Sequence, residues 1–171
     1  MRTHLIVLAI ACIFSAALVA EDIPPLDEPH AVKNGALKIA TPKGWELKDI
    51  EGLLQIAVGP AADGFAVNVA LAKDEFPGTL KEYAESNVAY SEKSVKGFKK
   101  LSQSDVKLDA GDAICLITSS EQEGKQFRQV FYLINHPAGG QLSLTFTTLI
   151  DKGDKLDALF ESIAKSLKFD K

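Results

Sequence analysis

Between residues 141 and 150 the chain alternates, with Leu142, Leu144, Phe146 and Ile150 set against Gln141, Ser143, Thr145 and Thr147. Successive side chains of a strand point to opposite faces, so this pattern predicts a strand with one buried face and one hydroxyl-rich face. Phe65, Val67, Val69 and Leu71 alternate in the same way with Ala66, Asn68, Ala70 and Ala72, while Leu54, Ile56 and Val58 mark a strand just before Gly59-Pro60. These two segments predict a hairpin. Residues 113–118 and 127–134 are β-branched or aromatic runs separated by Glu121-Gln122-Glu123-Gly124, a polar turn, and His136-Pro137-Ala138-Gly139-Gly140 makes the next turn. Residues 36–40, before Thr41-Pro42, and residues 100–108, after Gly97, complete a set of six or seven strands.

Two segments switch to helical period. The first opens at Thr79 after Pro77-Gly78, with Glu82 three residues on to complete a capping box, and carries Leu80, Tyr83, Ala84, Val88 and Val95 as its apolar stripe. The second starts near Asp154 and sets Leu156, Leu159, Phe160, Ile163, Ala164 and Leu167 at helical spacing, with Lys165 and Lys168 complementing the dipole at its end. Such a stripe must dock on the sheet. Short turns between most strands imply antiparallel pairing, and two amphipathic helices inserted among the strands make the class α+β.

The first 20 residues stand apart from this domain. Arg2 followed by the apolar stretch 5–20 has the charge, length and small residues of a secretory signal, so the domain is expected to be exported, periplasmic or extracellular. A transmembrane anchor is the competing reading, because 16 residues fall just short of a membrane-crossing helix. Cleavage after Ala17, with Ser15 and Ala17 at the two small-residue positions, suits a signal peptidase better than cleavage after Ala20, which puts Leu18 three residues back. Ala9-Ile10-Ala11-Cys12 offers a lipobox alternative. Against it, the apolar region before Cys12 is very short, and residues 13–20 would remain as an apolar tail instead of a polar tether. Residues 21–31, with Pro24, Pro25 and Pro29 among acids, read as an extended linker, leaving one domain at residues 32–171. No membrane span is expected once the signal is removed.

Composition narrows the function classes. With 46% hydrophobic and 25% charged residues the chain has the profile of one ordinary soluble domain, which excludes disordered and collagen-like readings. Two cysteines and three histidines, without metal-ligand spacing, disfavour a disulfide scaffold or structural zinc. Loss of residues 1–20 removes one base, Arg2, and leaves 18 bases against 23 acids, a formal charge of −5. That balance disfavours nucleic acid and anionic lipid as bulk-charge partners.

Chemistry-bearing residues are sparse. The exported part keeps two histidines, His30 in the Pro-rich segment and His136 in a turn, and neither lies in a hydrolase, metalloprotease, phosphate-loop or dinucleotide motif. Cys115, between Ile114 and Leu116 on a strand, reads as a small buried hydrophobe and not as a nucleophile. Asp105, Asp109 and Asp112 supply oxygens but lack the glycine-rich loop that wraps them around calcium, so a solvated acidic face is expected. Lys93, Lys96, Lys99 and Lys100 form the one basic concentration, and the end of a helix already accounts for it through the dipole. No catalytic, cofactor-binding or metal residue is assigned.

Several stretches nevertheless form a recognisable series. Ile39-Ala40-Thr41-Pro42-Lys43-Gly44-Trp45 is followed by a Phe-x-Val-x-Val strand and by Thr79-Leu80-Lys81-Glu82-Tyr83-Ala84 opening a helix. Later come Gln126-Phe127-Arg128-Gln129-Val130, Leu144-Thr145-Phe146-Thr147 and Ile163-Ala164-Lys165-Ser166-Leu167-Lys168-Phe169. This series resembles the PsbP-like superfamily, nearest in pattern to bacterial envelope members of the DcrB and LpqN kind, over nearly all of residues 32–169. The resemblance implies an antiparallel sheet sandwiched by helices, in α/β/α layers. It also implies that Trp45 closes one end of the sandwich after the first strand, so core packing is expected there before an interface role. Relatives include an extrinsic protein of the photosystem lumen and a nuclear import factor that binds the GTPase Ran; what they share is association with a partner protein, and no single active site comes with the fold. The function implied is an exported, non-catalytic module that binds or stabilises another envelope protein, with a small-ligand or lipid-binding envelope domain as the alternative. The loops at Gly44-Trp45, residues 60–64 and residues 136–140 are the expected contact surface.

Overall fold

The alternating segments pair as expected, and the computed structural model describes them over residues 24–33 and 36–170. The signal segment, Cys12 and both cleavage positions lie outside the described residues. Strands β1 (His30–Ala31) and β2 (Leu37–Ile39) are followed by β3 (Glu46–Lys48), β4 (Gln55–Ala62), β5 (Phe65–Asp74), helix α1 (Leu80–Ser94), β6 (Lys99–Leu108), β7 (Gly111–Gln122), β8 (Lys125–Asn135), β9 (Gln141–Leu149), helix α2 (Asp157–Ser166) and β10 (Lys168–Phe169). Seven strands form one antiparallel sheet in the order β3-β4-β5-β9-β8-β7-β6. The class is α+β.

Membership of the sheet departs from the sequence reading at one place. The segment at 36–40 does not join the large sheet; as β2 it is the centre of a separate three-stranded sheet, β1-β2-β10, and the short strand β3 takes the seventh place. Three-residue strands carry too little periodicity to be read from sequence. The large sheet thus begins at Glu46, and the small one begins at His30, inside the segment read as a linker. Residues 24–31 lie on the domain: Leu26 bridges Pro42, Asp27 N–H donates to Thr41 O at 2.9 Å, and Lys43 N–H donates to Pro25 O at 2.8 Å.

The β4–β5 hairpin turns later than Gly59-Pro60. Asp63 and Gly64 both take positive φ, 53° and 70°, the pair of left-handed residues that a tight two-residue hairpin needs. Gly59 and Pro60 sit within β4 at a register shift between Val58 and Ala61. The missing Pro60 N–H costs no ladder bond there, because Pro60 falls in the register shift facing β5 and lies past the end of β3, which pairs only as far as Val58. Similarly, β7 and β8 run to Gln122 and Lys125, so the turn narrows to Glu123-Gly124.

Each face of the sheet carries its own core. Val69, Leu71, Val130, Tyr132, Ile134, Leu142, Leu144 and Phe146 point to the α2 side, where Leu159, Phe160, Ile163 and Ala164 cover them. Phe160 stacks on Phe146 with ring centroids 4.5 Å apart, and Tyr132 meets Phe146 edge-on at 5.9 Å. On the other face Ile114, Leu116, Phe131 and Leu133 pack under Tyr83 and Ala84 of α1. Helix α1 begins as its sequence dictates: Thr79 Oγ1 accepts from Glu82 N–H at 3.2 Å, and the Glu82 carboxylate accepts from Thr79 N–H at 2.7 Å. Helix α2 starts three residues after Asp154, because a 3₁₀ turn at Ile150–Lys152 and Gly153, at φ 52° and ψ −133°, come first. Among the described residues no helix is long and apolar enough to cross a membrane.

Candidate functional site

The three candidate loops do not converge. In the antiparallel register Glu46 lies opposite Val58, which brings Trp45 to Gly59: a Cβ on Gly59 would stand 2.8 Å from Trp45 Cε2, so only glycine admits the indole. Trp45 is half-buried and packs against the α2-side core, in keeping with a residue that closes one end of the sandwich. Residues 60–64 therefore share an end with Gly44-Trp45, where Asp63 forms an ion pair with Lys152 at 2.9 Å and Lys125 Nζ donates to Gly64 O at 2.7 Å. Residues 136–140 join β8 to β9 at the opposite end, beside Asp74, whose register partner is Gln141.

At that second end the polar groups are tied down. His136 N–H donates to Gly140 O at 3.1 Å, and His136 Nδ1 accepts from Ala138 N–H at 3.1 Å. The ring lies edge-on to Phe169, centroids 5.4 Å apart. Burial, followed by the nearby Lys73 ammonium, holds the imidazole below its ordinary pKa, and Glu75 opposes them. Lys73 and Glu75 pair at 2.7 Å. Gly140, at φ 79°, has its backbone against Asp74; a Cβ there would stand 2.5 Å from Asp74 O.

Below this turn lies a buried polar contact that the periodicity did not reveal. The Tyr83 hydroxyl donates to Asp74 Oδ2, joining α1 to the end of β5, and both residues are buried. Burial first, then the hydrogen bond to Asp74 and its charge, push the Tyr83 phenol well above its ordinary range, against a smaller opposing effect from the Asn87 amide. Gln141 Nε2 donates to Gly78 O at 3.1 Å and fixes the loop that leads into α1.

On the α2 side Arg128 makes two parallel bonds to Asp157, Nη1 to Oδ1 at 2.7 Å and Nη2 to Oδ2 at 2.8 Å. A sequence signal for it existed: Arg128 shares strand parity with Val130, Tyr132 and Ile134, so its guanidinium is aimed at the buried face and requires a carboxylate. Cys115 lies opposite Tyr132 on the same face and is half-buried. Its thiol is pushed up mainly by burial; the hydrogen bond with Tyr132 and the Arg128 charge oppose this, Asp157 and Glu161 add to it, and the net rise disfavours thiolate and nucleophilic attack. His30 is elsewhere, with Nε2 3.1 Å from Gln55 Oε1.

The charged clusters resolve into separate pairs. Asp109 faces Lys168 at 3.4 Å and Asp112 faces Lys107 at 2.6 Å, while Asp105 is exposed on β6. Among the described residues no three His, Cys, Asp or Glu side chains gather as a metal would require. Lys96 pairs with Glu121, whereas Lys93, Lys99 and Lys100 are exposed at the end of α1 and the start of β6.

Solved structures share this architecture. The solution structure of cyanobacterial PsbP from Synechocystis sp. PCC 6803 superposes with a TM-score of 0.61 at 13% identity, over 91% of this chain and 98% of that one. LpqN of Mycobacterium tuberculosis, described as involved in cell envelope biogenesis, gives a TM-score of 0.60 at 18% identity, over 84% and 90%. The Ran-binding protein Mog1p of Saccharomyces cerevisiae gives 0.59 at 8% identity, over 84% and 95%. The fold is therefore that of the PsbP-like proteins. No curated protein sequence matches the chain. The sequence profile of the DcrB family matches residues 37–166, well over half of its length, and the chain belongs to that family.

Proposed function

We propose that the protein is an exported module of the cell envelope that binds or stabilises another envelope protein without catalysing a reaction. The observation that carries this reading is the dispersal of the groups that chemistry would need: Cys115 lies mid-strand with a raised pKa, His30 is against Gln55, and His136 is held within its own turn. A nucleophile without a base at hydrogen-bonding distance is not activated. Kinship with DcrB and the likeness to LpqN support an envelope setting, and Arg2 with the apolar stretch 5–20 supports export. The alternative, a small-ligand or lipid-binding domain, needs a site of roughly 300 Å3 or more; the cavity under α1, at about 10 Å3, is too small to be that site.

The test is recovery of the tagged protein from its native envelope fraction, with mass spectrometry of proteins and small molecules together. One defined protein should co-purify in stoichiometric amount, and grouped substitutions at the exposed Lys43, Pro60 and Ala62, or at Pro137 and Ala138, should lower its recovery at unchanged melting temperature. Recovery of a small ligand alone would favour the alternative. Saturable turnover abolished by one polar substitution in a folded protein would overturn both. Intact mass of the envelope form tests export: loss of residues 1–17 or 1–20 is expected, and a mass that begins at a lipid-modified Cys12 would make the protein a lipoprotein.

A further inference from the structure

Helix α1 covers its face of the sheet unevenly. Its first turns lay Leu80, Tyr83 and Ala84 on Ile114, Leu116, Phe131 and Leu133, but further along the inward side chains are Asn87, Val88 and Ser91. Beneath them is a cavity of about 10 Å3, walled by Asn87 and Ser91 from the helix, Thr118 from the sheet and apolar side chains that include Val88 and Leu116. Thr118 is fully buried, and its hydroxyl finds no partner among the described residues. Asn87 Nδ2 is also buried and has no acceptor at full hydrogen-bonding geometry among the described residues, its polar neighbour on the helix being the Tyr83 phenol, whose shift the amide partly offsets as a weak donor.

We infer that the α1–sheet interface binds one water molecule, which accepts from Asn87 Nδ2 and donates to Thr118 Oγ1. The volume fits: about one probe sphere of space is what a single water needs, and organic ligands are excluded by size. The chemistry fits as well, because the two unpartnered groups are a donor and a hydroxyl, and the Ser91 side chain lies in the same wall. Neighbouring backbone does not compete, since that of Thr118 belongs to the ladder and that of Asn87 to the helix.

The polar character of this seam continues across the sheet. Thr118 lies opposite Gln129, Gln129 opposite Thr147 and Thr147 opposite Asn68, so four buried polar side chains form one cross-strand row on the α1 face. An all-leucine helix face laid over that row would strand the hydroxyls away from any partner. Asn87, Ser91 and the water give α1 a polar underside where the row ends.

A crystal structure at a resolution that defines ordered waters tests the inference, for the wild type and for Thr118→Val and Thr118→Ser. In the wild type one density peak should lie at about 2.7–3.2 Å from both Asn87 Nδ2 and Thr118 Oγ1. Thr118→Ser should keep it, and Thr118→Val, nearly isosteric, should lose it while α1 stays in place. A dry cavity, a direct bond between Asn87 and Thr118, or a peak unchanged in Thr118→Val would each overturn the inference. If Thr118→Val does not fold, the wild-type density alone decides.

Discussion

At the scale of single residues, stability is concentrated where aromatic rings and paired charges meet α2. Phe160 has no exposure and stacks on Phe146, so Phe160→Ala should cost about 3–5 kcal/mol in urea denaturation, and Leu144→Ala about 2–5 kcal/mol. Asp157→Ala leaves the Arg128 guanidinium buried without its carboxylate. Because the Asp157 side chain is 40% exposed, its loss should cost less than a fully buried pair, about 1–3 kcal/mol, and the double change Arg128→Met with Asp157→Leu should restore most of it. Of these residues Phe160 and Leu144 are legible from periodicity alone. Asp157 is not, since a carboxylate in the first turn of a helix already suits the dipole and shows no need of a partner.

Tyr83 makes a prediction about pH. An unfolded tyrosine loses its proton near pH 10, whereas burial and the Asp74 contact keep the folded phenol protonated to higher pH. Above about pH 10 the folded state therefore holds the extra proton, and stability must fall as pH rises. Tyr83→Phe removes one donor to a buried carboxylate and should cost about 1–3 kcal/mol at pH 8. It should also lose less stability than the wild type between pH 8 and pH 11. Urea midpoints at both pH values decide it, and equal losses in the two proteins would contradict the assignment.

At the scale of elements, the last sixteen residues hold the sheet and its annex together. Helix α2 buries Leu159, Phe160, Ile163 and Ala164, and β10 then pairs with β2. Each large apolar side chain contributes roughly 1.5–3 kcal/mol on burial, against a total stability of about 5–15 kcal/mol for a domain. Deletion of residues 156–171 should thus yield an unfolded or aggregating product by circular dichroism and size exclusion; a truncated protein with an unchanged melting temperature would refute it. The long strands and both helices could be read from sequence because their periods run over eight or more residues. What escaped was short or positional: β1, β3 and β10 span two or three residues each, and the 3₁₀ turn before α2 depends on the backbone at Gly153.

At the scale of the whole molecule, the sheet ends in two edges that resist further pairing. On one side β3 is three residues long with Glu46 and Lys48. On the other, β6 is ten residues long, but it is bulged between Lys100 and Ser102 and carries Lys99, Lys100 and Lys107. The protein should sediment as a monomer, and threonine at all three lysines should promote association by sedimentation velocity. A wild-type dimer would contradict this account of the edge. The separation of the candidate loops is likewise a property of the whole molecule, because strand order, which alternation does not determine, sets which turns share an end.

The small sheet has a consequence for the order in which the chain can close. Its central strand, β2, takes one neighbour from seven residues upstream and the other from about 130 residues downstream. Loop closure across most of the chain is slow and gives no return until the far segment arrives. A nascent chain therefore holds β2 half-paired until Lys168 and Phe169 have emerged from the ribosome, and β10 acts as the clasp of the domain.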